Sequence, residues 1–403
     1  MQLRLALRNV FRNRRRTLFS LSVLALSTTI LVIVLGFQAQ FLRSIRSSLA
    51  CETGALQIAD RRLFDNETSG YDYLIPEATL AEVIALVETQ DGVTGVTWRL
   101  DFAGLAGDET GSALILGRGV VLGSGSEPYE CLVVDGAPLS ATADREAILG
   151  SELARRLGVA AGARLNIATG TVSGNFNAAT VTVVGELTYS IEEVEAQLGL
   201  FPIAFVQRLL KTDGVERILV SLEELDDAAA VAARVEQELA AAGIPLVART
   251  WEELNSSYES IRSFYTAFSG LAALGIFVFV FFSVLEVLTI SFLERTREIG
   301  TLRAFGTTRA RVFRTFLIEG AVLGLLGGPA GVLVGVAFVL VFNAVGIPWT
   351  PPGAAIPQTL RLAVGPQALV VPLLLAAVAT LASALYPSWK ASRQSVVDAL
   401  RSV

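Results

Sequence analysis

The side chains best placed to do chemistry in this chain are carboxylates and guanidinium groups, because histidine is absent and lysine occurs only as Lys211 and Lys390. Without histidine there can be no Ser-His-Asp or Cys-His nucleophile and no imidazole metal ligand. Lys211 follows Leu210 and Lys390 follows Trp389, so neither completes the G-x-x-x-x-G-K-[ST] loop that cradles nucleotide phosphates. No catalytic residue, metal site or cofactor is expected here, and the chain is not expected to bind and hydrolyse ATP by that route alone.

Two acids stand out because they lie in long apolar runs. Glu286 precedes Phe292 by six residues and Glu319 follows Phe313 by six. At roughly 1.5 Å per helical residue, both sit about 9 Å inside an apolar span. They could share a proton, pair with arginines of the first helix or line a cavity. Structural pairing or snorkelling near the interface is the favoured reading, since water and arginine reach that depth.

Between those acids, residues 293–315 read LERTREIGTLRAFGTTRARVFRT and carry six arginines against Glu294 and Glu298. Arginines alone would mark a solvated loop on the cytosolic side. Ile299, Leu302 and Phe305 recur at helical spacing, however, and Gly306 can end the turn they lie on. The segment is therefore expected to be a short amphipathic helix below a membrane. Its charged residues would orient a partner while the apolar ones supply buried area.

Other patterns carry less. Gly320, Gly324, Gly328, Gly331 and Gly335, interrupted by Pro329, form a small-residue ridge suited to close helix packing. Gly117, Gly119 and Gly123 miss the G-x-G-x-x-G spacing and lie among strands. A disulfide between Cys51 and Cys131 is chemically permitted, and two unpaired thiols fit the spacing as well.

The elements that hold these residues follow from composition. Hydrophobic residues make up 52% of the 403 and charged residues 17%, as in a membrane protein with a sizeable soluble part. Fifteen cations and three acids fall before Thr17, in 293–315 and near the end, whereas 38–262 holds 33 acidic and 16 basic residues. The positive-inside rule then puts both termini and the arginine stretch in the cytosol. The expected fold is membrane α-helical, with four transmembrane helices and a large α+β extracytoplasmic domain inserted between helices 1 and 2.

In order, a cytosolic amphipathic helix at 1–16 precedes a first span at 17–37. The extracytoplasmic α+β domain with stalk helices occupies 38–262, Phe37, Phe41, Ile45 and Leu49 suggesting the first stalk. A β-rich subdomain is expected at about 145–187, where EAILGSELARRLGV reads as a strand turning into a short helix. The second span is 264–292, the cytosolic helix 293–312, the third span 313–342, an external loop 343–362 and the fourth span 363–386. A cytosolic C-terminal helix at 387–403 follows.

This arrangement resembles the MacB/FtsX-like permeases of ABC transporters, which include the lipoprotein-releasing LolC and LolE type. The resemblance rests on LERTREIGTLRAFG at 293–306, FLIEGAVLGLLGGPAG at 316–331, ALRNVFRNRRRT at 6–17, YPSWKASRQSVVDALR at 386–401 and AILGSELARRLGV at 147–159. It implies a pair of permease subunits, this chain twice or with a sister chain, bound to two ABC ATPase subunits that use ATP and Mg. It also implies that the 293–315 region is the coupling helix, with Glu294, Arg297, Glu298, Ile299, Leu302, Phe305 and Gly306 contacting the ATPase or supporting its shape. The expected location is a bacterial inner membrane, and the expected role is lipoprotein or lipid release or export. Drug or peptide efflux, and FtsX-like signalling to an external hydrolase, are the alternatives.

Overall fold

The computed structural model describes residues 14–65, 67, 70–108, 111–122, 133–140, 145–189, 192–349 and 358–394. Most of the helix expected at 1–16, the middle of the 343–362 loop and the end of the 387–403 helix lie outside these residues, as do Gly123 and Cys131. Two compact units emerge. One comprises Met1–Arg43, Ile261–Ile347 and Thr359–Val403, the other Ser44–Ser260 and Pro348–Gln358.

The chain begins with helix α1 (Arg14–Thr53), followed by β1 (Leu56–Ala59), α2 (Glu77–Val87), β2 (Val93–Gly107), β3 (Ser112–Val120) and β4 (Val133–Gly136). Next come β5 (Glu146–Gly150), α3 (Ser151–Leu157), β6 (Arg164–Gly170), β7 (Phe176–Thr188) and β8 (Leu198–Pro202). Then follow α4 (Ile203–Leu210), β9 (Arg217–Leu222), α5 (Ala228–Ala241) and β10 (Val247–Thr250). The last long elements are α6 (Ser256–Glu294), α7 (Thr296–Ala304), α8 (Arg309–Val345) and α9 (Pro366–Arg393).

The α+β unit is built on one ten-stranded sheet in the order β10-β1-β9-β2-β3-β8-β5-β7-β4, with β6 bridging β2 and β7. The β3–β8 and β5–β7 pairings are parallel. Segment 145–187 is expected to form a subdomain of its own, but its strands are hydrogen-bonded into this common sheet. The reason is the length of β2, whose fifteen residues pair with β9 at one end and with β3 and β6 at the other. Three apolar cores result among the described residues. One gathers Leu56, Ile58, Val83, Val220, Val235 and Trp251, the second Leu100, Phe102, Ile115, Leu149, Phe201 and Phe205, and the third Val120, Ile148, Leu187, Leu198 and Leu200. The strand-to-helix reading of 146–159 matches β5 and α3, which ends where Gly158 turns left-handed at φ 67°.

The last turns of α1 are fastened into this unit. Ile45, Leu49 and Ala50 pack on the first core, and Arg46 pairs with Asp226 at 2.5 Å while lying over the Trp251 ring. Glu52 accepts a hydrogen bond from the Tyr189 hydroxyl and lies 3.4 Å from Arg118 Nη2. Cys51, between them, is disulfide-bonded.

In the helical unit, α1, α6, α8 and α9 are each long and apolar enough to cross a membrane. α1, α6 and α8 extend beyond both ends of the apolar runs that mark them, because flanking polar residues continue the same helical hydrogen bonding, whereas α9 starts three residues inside the expected fourth span and runs on through Pro387, where a separate helix is expected, to Arg393. Phe41, one of the stalk positions, packs against Tyr265 of α6 at 4.6 Å between ring centroids. The glycine ridge of α8 divides between two neighbours. Gly320, Gly324 and Gly328 meet Ala384, Thr380 and Ala376 of α9, whereas Gly331 and Gly335, joined by Gly327, meet α1 at Leu24, Ala25, Thr28 and Val32. A Cβ on Gly331 would stand 2.5 Å from the Ala25 carbonyl oxygen, so only glycine admits that approach. Thr29 uses it to donate a buried 2.9 Å hydrogen bond to the Gly331 carbonyl.

Candidate coupling site

The arginine-rich stretch folds as a nine-residue helix set between two long ones. Arg295 occupies the N-cap of α7, and Phe305 the C-cap. Gly306 then adopts φ 92°. The Gly306 N–H bonds the Arg303 carbonyl and the Thr307 N–H bonds the Leu302 carbonyl, the paired bonds of a Schellman ending. Thr308 caps α8, its hydroxyl accepting from the Arg311 N–H. The single helix expected over 293–312 is thus broken at Gly306, and Arg309, Arg311 and Arg314 belong to the next element.

The two faces of α7 differ. Thr296, Ile299 and Gly300 are buried, and Ile299, only 4% exposed, joins Phe292, Val312, Phe316 and Ala391 in one apolar cluster. Arg303, on the same side, donates to the Gln394 carbonyl just past α9. Glu294, Arg297, Glu298, Leu302, Phe305 and Gly306 are exposed, Leu302 by 55% and Phe305 by 86%. Ile299, expected to supply contact area together with Leu302 and Phe305, is therefore committed to the interior. The spacing explains the split. Residues three apart are 300° apart around a helix, so 299, 302 and 305 fan across about a third of the circumference.

An ion pair holds the start of the helix. Arg295 Nη1 lies 2.8 Å from Glu319 Oε1 on α8, and Glu319 is 3% exposed. The Arg295 guanidinium also lies 5.6 Å from the centre of the Phe316 ring, and its Nε is 3.6 Å from Glu298. Glu319 thus pairs with the arginine-rich stretch. Glu286 sits exposed on α6. Arg295, Arg303, Val312 and Ala391 escape sequence reading as site residues. Val312 and Phe316 at helical spacing were the available signal; the Arg295–Glu319 pairing, 24 residues apart, left none.

Comparison with known proteins covers both units. The profile described as MacB-like periplasmic core domain matches residues 17–238, and FtsX-like permease C-terminal matches 269–396. The lipoprotein-releasing system transmembrane protein LolC of Xylella fastidiosa strain 9a5c is 24% identical over 399 residues, covering 94% of this chain and 92% of that protein. LolC of strain Temecula1 is 26% identical over 276 residues, 63% of this chain and 64% of that one. The macrolide export ATP-binding/permease protein MacB of Rhodopirellula baltica is 33% identical over 124 residues, 29% of this chain and 16% of that protein. With four apolar helices, an α+β unit and family matches across both, the chain belongs to the MacB/FtsX-like family of ABC transporter permeases.

Proposed function

We propose that this permease receives mechanical work from an ABC ATPase through α7 and passes it along α1 and α6 to an extracytoplasmic α+β domain. The observation that carries this reading is the exposed pair Leu302 and Phe305, flanked by Arg297 and Glu298, on a helix whose opposite face is fixed by Ile299 and Arg303. An apolar pair rimmed by charge is what a partner's cleft can bury, and a helix packed on its other side moves as a body with its neighbours. The arginine content of 293–315 supports a cytosolic position for that face, both termini lying on the same side.

Two ATPase subunits binding ATP and Mg would engage two such helices, from two copies of this chain or from this chain and a sister. In this reading α6, running unbroken from Ser256 to Glu294, conveys the movement outward. The cargo is a lipoprotein or lipid, a reading supported by the LolC similarity along nearly the whole chain. The test is reconstitution with the ATPase in liposomes carrying a labelled lipoprotein. ATP-dependent release to the outer aqueous phase supports the proposal. ATP-dependent activation of an external hydrolase without release of any cargo would replace transport by signalling.

A further inference from the structure

The α+β unit contains a cavity of about 390 Å³ that coupling to an ATPase leaves unexplained. Its walls include Tyr71, Tyr73, Asp101, Leu116, Arg118 and Glu216. This is within the size range of small-molecule sites and far above that of ordinary packing voids. One side is apolar. That wall includes Ala103 and Leu116, which stand opposite each other on the open face of the sheet, and beyond the cavity on the same face Leu105 stands opposite Leu114, all four being exposed. Leucines in such a row on a soluble surface normally have something to cover them.

The other side is charged, and its charges are held in place. Glu216 is buried, with one oxygen accepting from the Asp101 N–H at 3.0 Å and the other from Arg217. Asp101 Oδ2 lies 3.2 Å from Arg99 Nε behind it. Arg118, the one cation among the described wall residues, is drawn off by Glu52 at 3.4 Å and Asp101 at 3.9 Å. Tyr71 and Tyr73 stack with centroids 6.4 Å apart. Both phenols are pushed above their ordinary range, by burial first and then by Glu216, with Asp101 adding to it.

We propose that this cavity binds an amphipathic cation, with an alkyl body over Leu105, Leu114 and Leu116 and a positively charged nitrogen between the tyrosine rings and the carboxylates of Asp101 and Glu216. Aromatic faces and fixed carboxylates are the groups that recognise such a head, and the leucine row gives the tail its apolar surface. The site is independent of the ATPase reading, because it lies wholly within the α+β unit and needs no nucleotide.

The test uses the full chain in lipid nanodiscs without ATPase or nucleotide, and a diazirine-bearing octyltrimethylammonium as photoprobe. Crosslinks are expected in β2, β3 and the segments around Tyr71 and Leu198. Unlabelled octyltrimethylammonium should displace the probe about tenfold better than octyl sulfate, the factor that 1.4 kcal/mol supplies. Ala103→Trp, which fills the cavity from an exposed position, should cut labelling at these segments by at least about tenfold. Asp101→Asn should weaken it while leaving octanol competition unchanged. Labelling confined to the apolar helices, equal displacement by octyl sulfate, or full labelling of a folded Ala103→Trp chain would overturn the proposal.

Discussion

Arg295 Nη1 approaches Glu319 Oε1 to 2.8 Å and so joins the residue that caps the short helix α7 to a buried acid nearly three turns into α8. Removing Glu319 leaves the half-buried Arg295 only the longer 3.6 Å contact to Glu298, and breaking such a pair costs up to about 3–5 kcal/mol. Glu319→Ala should therefore lower the unfolding midpoint in nanodiscs sharply. Arg295→Met with Glu319→Met should recover much of the loss, because an apolar pair needs no counter-charge. A double-mutant cycle measures this coupling, and simple additivity would show that the pair does not hold the helix.

Packing of α8 makes a contrast between glycines. Gly331→Ala places a Cβ 2.5 Å from the Ala25 carbonyl oxygen and should destabilise by about 1–3 kcal/mol. Gly270→Ala and Gly275→Ala on α6 meet open space, so they should be neutral or gain up to about 1 kcal/mol from helix propensity. Thermal unfolding of the three variants under one lipid condition checks the order.

Alkaline pH should loosen the fastening of α1. Burial, and then the Glu52 carboxylate, hold the Tyr189 phenol above its ordinary 10.0. Above pH 10 the unfolded chain releases a proton that the folded chain retains, so stability falls as pH rises through that range. Tyr189→Phe removes this contribution. The difference in midpoint between wild type and variant should then narrow from pH 9 to pH 11, as followed by circular dichroism.

What the sequence disclosed and what it hid follow from the range of the interactions. The four apolar helices and the β5–α3 turn are written in local runs and in one glycine, Gly158, so they could be read directly. The continuity of the sheet was not legible, because β2 finds β9 and β6 across long stretches of chain. At α7, Gly306 announced the stop, but only packing against Phe292, Phe316 and Ala391 decides that Ile299 turns inward while Phe305 stays in solvent. The Arg295–Glu319 pair was hidden for the same reason: each residue was noticeable, and nothing local joined them.

The most direct test concerns the exposed face of α7. Leu302→Asp and Phe305→Asp alter side chains that contribute little to the fold, so insertion and unfolding midpoint should match wild type. If that face docks the ATPase, each change should weaken co-purification with the ATPase at least about thirtyfold, the loss of about 2 kcal/mol expected at the centre of an interface. ATPase recovery and permease-stimulated ATP hydrolysis in nanodiscs are the quantities to measure, with Ile299→Ala as the control that disturbs the buried face instead. Wild-type recovery and stimulation with both aspartate variants would contradict the account.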